Sequence, residues 1–175
     1  MVIAATGFFD GVHLGHRAVL TSLVETARKM GGESLALTFW PHPRAVLQQD
    51  AQKFRLLTSL DEKKEMIQAL GVDQIQIIPF TKEFSAIPSR VFFRDYLGEK
   101  FKVRALVAGY NHRLGADGVH DPHLMDQEAE KVGLQIIRVR EFLSDTGEHI
   151  SSTKIRAALS SGSVETANRW LGYPY

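Results

Sequence analysis

Apolar residues fall along this chain in two alternating patterns. Short, nearly continuous apolar runs at residues 2–5, 34–40, 74–78, 105–108 and 135–139 read as buried strands. Between them the apolar positions keep helical spacing. A segment beginning near Leu14 carries Val19, Leu20, Leu23, Val24 and Ala27 on one face, with Thr21, Glu25, Arg28 and Lys29 between them, until Gly31-Gly32 stops it. Ser59 or Asp61 caps a second helix in which Leu60, Lys64, Ile67 and Leu70 are in step, with Gly71 as the stop. Pro88 opens a third, carrying Val91, Phe92, Tyr96 and Leu97 inward and ending at Gly98. Residues 123–132 form a fourth, closed by Gly133, and a fifth starts near Ser151 and runs through Leu159 to Gly162. Residues 44–58 hold no period and read as irregular chain with at most one helical turn.

Strands alternating with helices over long crossovers predict an α/β fold, a Rossmann-like open parallel sheet with helices on both faces. In such sheets ligands bind outside the carboxyl ends of the strands. The unusual residues of this chain gather there, at 7–16, 39–43, 79–81 and 109–118. The aromatic residues Phe92, Phe93 and Tyr96, on the third helix, are assigned to the core. Trp170 and Tyr173 either cover the core or face a further domain.

Composition narrows the function. At 175 residues the chain holds one domain, spanning 1–175, with a substantial core. Its 44% hydrophobic and 23% charged content exclude disordered, collagenous and coiled-coil classes. No apolar run approaches the roughly 18 residues of a membrane-spanning helix, and no basic segment precedes the first apolar run as in a signal peptide. With no cysteine there are no disulfides, thiol nucleophiles or ordinary structural zinc sites, which fits a cytoplasmic setting. A net charge of +1 gives no basic field, so the expected partners are small anionic molecules rather than nucleic acid or membrane. The oligomeric state is left open. His120 and His123, near Asp117 and Asp121, read as a solvated loop rather than a metal site.

The chemistry concentrates in Gly7-Phe8-Phe9-Asp10-Gly11-Val12-His13-Leu14-Gly15-His16, between the first strand and the first helix. Gly7 and Gly11 release the backbone, and Gly15 clears the first helical turn for close approach of a ligand. His13 and His16 share one helix face beside backbone amides that lack intrahelical partners and attract anions. This is a phosphate cradle. The stretch resembles the HxGH signature of the nucleotidyltransferase superfamily. Its fuller form, GxFDGxHxGH, resembles the adenylyltransferase module of the bacterial bifunctional riboflavin kinase/FAD synthetase family.

A second stretch, His149-Ile150-Ser151-Ser152-Thr153-Lys154-Ile155-Arg156, places hydroxyls and an arginine fork at another helix start, where serines either cap the helix or bind phosphate. It resembles the ISSTxIR signature of the same superfamily. Phe39-Trp40-Pro41-His42-Pro43 resembles the family's FxPHP loop, and residues 109–115 resemble its G-x-[DN]-F-x-F-G loop, with His112 and Leu114 where phenylalanines are usual. Leu171-Gly172-Tyr173-Pro174-Tyr175 resembles the end of the module.

The resemblance implies a nucleotidyltransferase fold and transfer of AMP from ATP to FMN, giving FAD and pyrophosphate. It assigns His13, His16 and Arg156 to catalysis. Gly7, Phe9, Asp10, Gly15, Ser151, Ser152 and Thr153 are assigned to ATP, and Phe39, Pro41, His42, Pro43 and Asn111 to the flavin. Mg²⁺ is implied as a bridge between phosphates, with no legible protein ligands. A riboflavin kinase module, which follows residues 171–175 in the bifunctional enzymes, is expected to be absent, so riboflavin itself is not expected to be phosphorylated. Two other readings stay open: an adenylyl- or cytidylyltransferase acting on nicotinate mononucleotide, phosphopantetheine or a phosphorylated alcohol, and a noncatalytic nucleotide or flavin sensor.

Overall fold

The computed structural model describes residues 1–47, 54–110, 112, 115–116 and 121–175. Five parallel strands, β1 (Val2–Thr6), β2 (Glu33–Trp40), β3 (Gln74–Pro79), β4 (Val103–Gly109) and β5 (Gln135–Val139), form one sheet in the order β3-β2-β1-β4-β5. Each apolar run of the sequence lies in one of them. The order reverses at β1: the chain first builds outward through β2 and β3, then returns to place β4 on the other side of β1. That reversal opens a crevice above the ends of β1 and β4.

Both faces of the sheet are covered, which is why its strands read as continuous runs rather than as alternation. Ile3 and Ala5 of β1 pack with Leu20, Leu23, Val24 and Ala27 of α1 (Leu14–Lys29) and Ile67 of α3 (Leu60–Ala69). Ala4 faces the opposite way, toward Phe93, Leu97 and Met125. These last come from α5 (Ser89–Val91), which continues as a π-helix over Phe92–Lys100, and from α6 (Pro122–Lys131). Ser59 caps α3 in a reciprocal capping box with Glu62, as the sequence pattern predicts.

Two expectations change. Gly98 does not end the third helix, which runs on to Lys100. A Cβ at Gly98 would come within 3.3 Å of the Phe93 carbonyl, a tight approach, while meeting Val132 at an ordinary 3.5 Å, so what this glycine relieves is crowding against its own helix. On α3 the inward lysine is Lys63, not Lys64: Lys63 is buried, while Lys64 reaches outward to Asp61. The segment read as irregular with at most one helical turn does carry a helix of about that length, α2 (Pro43–Leu47), at its start. Two further helices were not expected, α4 (Lys82–Ser85), capped by Thr81, and α8 (Val164–Leu171). α4, a single turn, is too short for a helical period to declare itself, whereas α8 does carry one, in Val164, Ala167, Trp170 and Leu171, that the sequence reading passed over.

α8 packs on α7 (Ser152–Ser160), burying Ala167 and Leu171 against Ile155, Ala158 and Leu57. Trp170 and Tyr173 join this cluster, and the Tyr173 hydroxyl donates to the Gly11 carbonyl at 2.7 Å. Among the described residues no helix is long and apolar enough to cross a membrane.

Candidate active site

The carboxyl ends of the strands carry two adjoining cavities that share Thr6, Gly7, Phe8 and His112 as a common wall. One, of about 430 Å³, is polar and faces the starts of α1 and α7; the other, of about 540 Å³, is aromatic. Both volumes fall within the range of small-molecule sites.

The polar cavity is shaped by the turn between β1 and α1. Gly11 sits at φ +80°, while Phe9 and Val12 hold φ of 50° and 36° without being glycine. Such backbone is stored strain of about 1–3 kcal/mol per residue and persists only where its surroundings fix it. Asp10 does the fixing. Its Oδ1 accepts from the amides of Leu57 at 2.9 Å and Thr58 at 3.3 Å, and its Oδ2 pairs with the guanidinium of Arg156. Thr58 Oγ1 accepts from Gly11 N at 3.1 Å, and Ser152 Oγ donates to the Asp10 carbonyl at 3.0 Å. Turn, residues 57–58 and α7 are thereby one unit. Asp10 lines the cavity at 4% exposure, but its oxygens are committed to this scaffold.

Two helix starts converge on the cavity. His13 is the N-cap of α1, and its Nδ1 accepts from the His16 amide at 3.3 Å. The proton therefore sits on Nε2. A Cβ at Gly15 would meet the His13 ring at 3.3 Å, so the room left by Gly15 is taken up in part by that imidazole. The His16 ring stacks on it with centroids 3.6 Å apart, and its buried Nδ1 has no partner among the described residues. Burial pushes the His13 pKa down to about 4 and holds His16 well below its ordinary value, with the neighbouring imidazole adding to the effect. At neutral pH both act as uncharged hydrogen-bond donors.

At the second start Ser151 caps α7 by accepting from Lys154 N, leaving the Ser152 and Thr153 amides without an intrahelical partner. The arginine fork of Arg156 is stretched between Asp10, the Arg55 carbonyl at 2.8 Å and the face of Phe54, whose centroid lies 4.4 Å away. Arg44 and Arg140 also line this cavity. Amide dipoles, hydroxyls and three arginines against one committed carboxylate make it a receptor for a polyanion.

The aromatic cavity is walled by Phe39, Phe80, Phe84 and Phe92, with Phe8 between the two sites. Phe8 packs its ring at 5.1 Å from Phe39 and 5.7 Å from Phe80. Phe92 is thus both core, as expected, and wall. Such a slot takes a flat, largely apolar ring system.

Every sequence-assigned ATP residue, Gly7, Phe9, Asp10, Gly15, Ser151, Ser152 and Thr153, lines the polar cavity, as do His13, His16 and Arg156. Of the flavin set, Phe39 and Pro43 line the aromatic cavity and His42 the polar one, its pKa lowered to about 4 chiefly by burial. Pro41 is among neither set of lining residues. Asn111 lies outside the described residues, as do His120 and Asp117. Sequence reasoning put Phe80 in a strand-end stretch without giving it a role, and missed Thr6, which ends β1, Arg140, which follows β5, and Arg44 and Phe84, on the short helices that come after β2 and β3. That position was the signal available. It also passed over Lys63, which had no motif to mark it.

Among the described residues no group of three or more His, Asp and Glu side chains is placed to hold a metal. Since the oxygens of Asp10 are already taken, these residues do not form a protein cage for Mg²⁺.

A doubly covered parallel sheet with a polyanion receptor at its topological reversal defines a nucleotide-binding α/β domain. The sequence pattern of FAD synthetase matches residues 1–154, and the chain belongs to the FAD synthetase family. The bifunctional riboflavin kinase/FMN adenylyltransferases of Listeria monocytogenes and Bacillus subtilis are 36% and 34% identical to it over 99% of its length. The chain spans about half the length of these relatives, 54% of each. Among solved structures, a Streptococcus pneumoniae protein described as a macrolide-efflux protein superposes with a TM-score of 0.85 at 25% identity, over 99% of this chain and 57% of that one. A pantoate-beta-alanine ligase from Francisella tularensis superposes over 96% of this chain and 68% of its own, with a TM-score of 0.58 at 17% identity, and shares the fold.

Proposed function

We propose that this chain transfers AMP from ATP to FMN, releasing pyrophosphate and forming FAD. The observation that carries this reading is the pair of adjoining cavities with a shared wall, one lined by two helix starts, histidines and arginines and the other by phenylalanines. A flavin ring in the aromatic slot and a triphosphate across the two helix starts bring the FMN phosphate and the α-phosphate together at the wall of Thr6, Gly7, Phe8 and His112.

An oxygen of the FMN phosphate attacks the α-phosphorus. The bond to the bridging oxygen toward the β-phosphate breaks, and pyrophosphate leaves with that electron pair. No covalent enzyme intermediate is needed, so catalysis rests on in-line positioning and stabilisation of spreading negative charge. His13 and His16, neutral and preorganised, donate to the α-phosphate oxygens. The Ser152 and Thr153 amides and the Arg156 fork hold the departing pyrophosphate. Mg²⁺ enters as the counterion of ATP, and the setting that fits this chemistry is the cytoplasm.

The test is to incubate the chain with MgATP and FMN and to resolve the products chromatographically. FAD and pyrophosphate in equal amounts are expected. Reaction with a different phosphorylated acceptor but not FMN would favour another transferase of the superfamily, and ATP binding without turnover on any acceptor would favour a sensor.

A further inference from the structure

Lys63 is a buried cation with neutral hydrogen-bond partners. It is 4% exposed, on the face of α3 turned toward the sheet. Its Nζ donates to the Phe8 carbonyl at 3.1 Å and to Thr38 Oγ1 at 3.0 Å, and Thr38 Oγ1 in turn donates to the same carbonyl at 3.2 Å. The Trp40 ring lies 5.7 Å from the ammonium. The stabilising charge that reaches it is the Asp10 carboxylate, which already pairs with Arg156. For packing alone a leucine or methionine at this position would avoid the desolvation of a charge. What the lysine adds is a grip on one peptide group and a fixed charge.

That peptide group belongs to the wall between the two cavities. Phe8 and Gly7 line both of them, and the Phe8 ring contacts Phe39, Phe80 and His42. The titratable groups facing the ammonium are Asp10 on the turn after β1, His16 on α1 and His42 on the loop after β2. Burial is the main cause of the low pKa of both imidazoles, and the Lys63 charge adds a small contribution in the same direction to each, which places that charge within reach of the cavity side of the wall.

We propose that Lys63 is a positioning residue of the adenylyl transfer: it holds the Phe8 carbonyl, and with it the wall at which the two substrates meet, and sets a positive charge beneath the reacting phosphates. This rests on the FMN adenylyltransferase reading of the site. Burial pushes the Lys63 pKa down to about 8, so the charge is present below that pH and lost above it. Activity and stability then respond to alkali in opposite directions. Turnover falls as Lys63 loses its proton, whereas the folded state, binding fewer protons here than the unfolded chain with its ordinary lysine near 10.5, gains stability from this group between pH 8 and 10.5.

The experiment compares wild type, Lys63→Met and Lys63→Gln for FAD formation from MgATP and FMN across pH 6.5 to 10, with melting followed over the same range. Lys63→Met is expected to lower kcat by about 10- to 100-fold with KM for ATP little changed, and to abolish the alkaline fall in activity. Lys63→Gln, which keeps a donor without the charge, should recover part of kcat but not the alkaline limb. Folded variants with wild-type kcat and an unchanged alkaline limb overturn the proposal. So does a loss of activity that only tracks the unfolded fraction. If neither variant folds, the wild-type profile decides alone: no alkaline limb near pH 8 overturns the proposal. A wild-type chain that forms no FAD overturns the reading of the site and this inference with it, and is distinguished from failure of the inference alone by that control.

Discussion

The carboxylate of Asp10 holds the guanidinium of Arg156 across 146 residues of sequence, and both side chains are largely buried. The same carboxylate takes the amides of Leu57 and Thr58, so the phosphate turn, residues 57–58 and the start of α7 are fixed by one side chain. The aspartate reads from sequence as an ATP ligand, but its oxygens serve the protein. Its contribution to the site is the placement of Arg156.

Asp10→Asn keeps the shape of the side chain and removes its charge, leaving a buried arginine without its counterion. Loss of one partner of such a pair is expected to destabilise the fold by about 3 kcal/mol and to raise KM for ATP. Arg156→Lys should also raise KM for ATP, because an ammonium cannot bridge Asp10, the Arg55 carbonyl and a phosphate as the planar fork does. Urea denaturation and ATP titration of the two variants check this; wild-type values in both would separate the arginine from the triphosphate.

His13→Ala and His16→Ala should each lower turnover by about two to three orders of magnitude, the usual loss when one preorganised donor is removed. The His13 variant also forfeits the N-cap of α1, about 1 kcal/mol, so its melting temperature should fall while its far-UV circular dichroism stays intact. A folded variant with near-native kcat would remove that imidazole from the transition state.

Acid should destabilise this protein before its carboxylates titrate. The folded-state pKa of His13 is about 4 against an ordinary 6.5, so the native state binds fewer protons than the unfolded chain between those values. Stability is full above pH 6.5 and declines as pH falls toward 4, by about 3 kcal/mol for His13 at roughly 1.4 kcal/mol per pKa unit. His42, also lowered to about 4, adds in the same direction. Melting temperature against pH measures the slope, and His13→Gln should make it shallower without abolishing it, since His42 still contributes. A flat wild-type profile from pH 6.5 to 4.5 would contradict the buried neutral state.

The sheet was legible because its strands are buried on both faces and write themselves as unbroken apolar runs, and much of the polar cavity's lining because it lies in two contiguous strings. What escaped the sequence is what depends on tertiary approach. Phe80 and Phe84 sit outside any motif and become a wall only when β3 ends beside β2. Gly98 looks like a helix stop because glycine usually is one, yet here it lies within the helix, where a Cβ would crowd the Phe93 carbonyl. Lys63 and Lys64 are adjacent charges with equal claim on paper. It is Lys63 that turns inward, to the Phe8 carbonyl and Thr38, contacts that no local pattern encodes.

His112 tests how the shared wall sets the acceptor. It stands where the family's loop usually carries a phenylalanine, and its Nε2 hydrogen-bonds to Thr6 Oγ1 at 2.7 Å. Thr6 is 4% exposed, so His112→Phe strands a buried hydroxyl at a cost of about 1–3 kcal/mol. Burial holds the imidazole pKa at about 4, so the substitution removes no charge at neutral pH. It does extend the aromatic wall of the cavity lined by Phe39, Phe80, Phe84 and Phe92, and an added aromatic contact is worth about 0.5–1.5 kcal/mol. His112→Phe is therefore expected to melt at lower temperature yet bind FMN several-fold more tightly, as read by quenching of flavin fluorescence. Thr6→Val combined with His112→Phe should restore most of the stability while keeping the tighter binding, since both members of the polar pair are then gone. Weaker FMN binding by the single variant would mean that the imidazole contacts the acceptor directly, and that this wall selects its ligand by hydrogen bonding rather than by stacking.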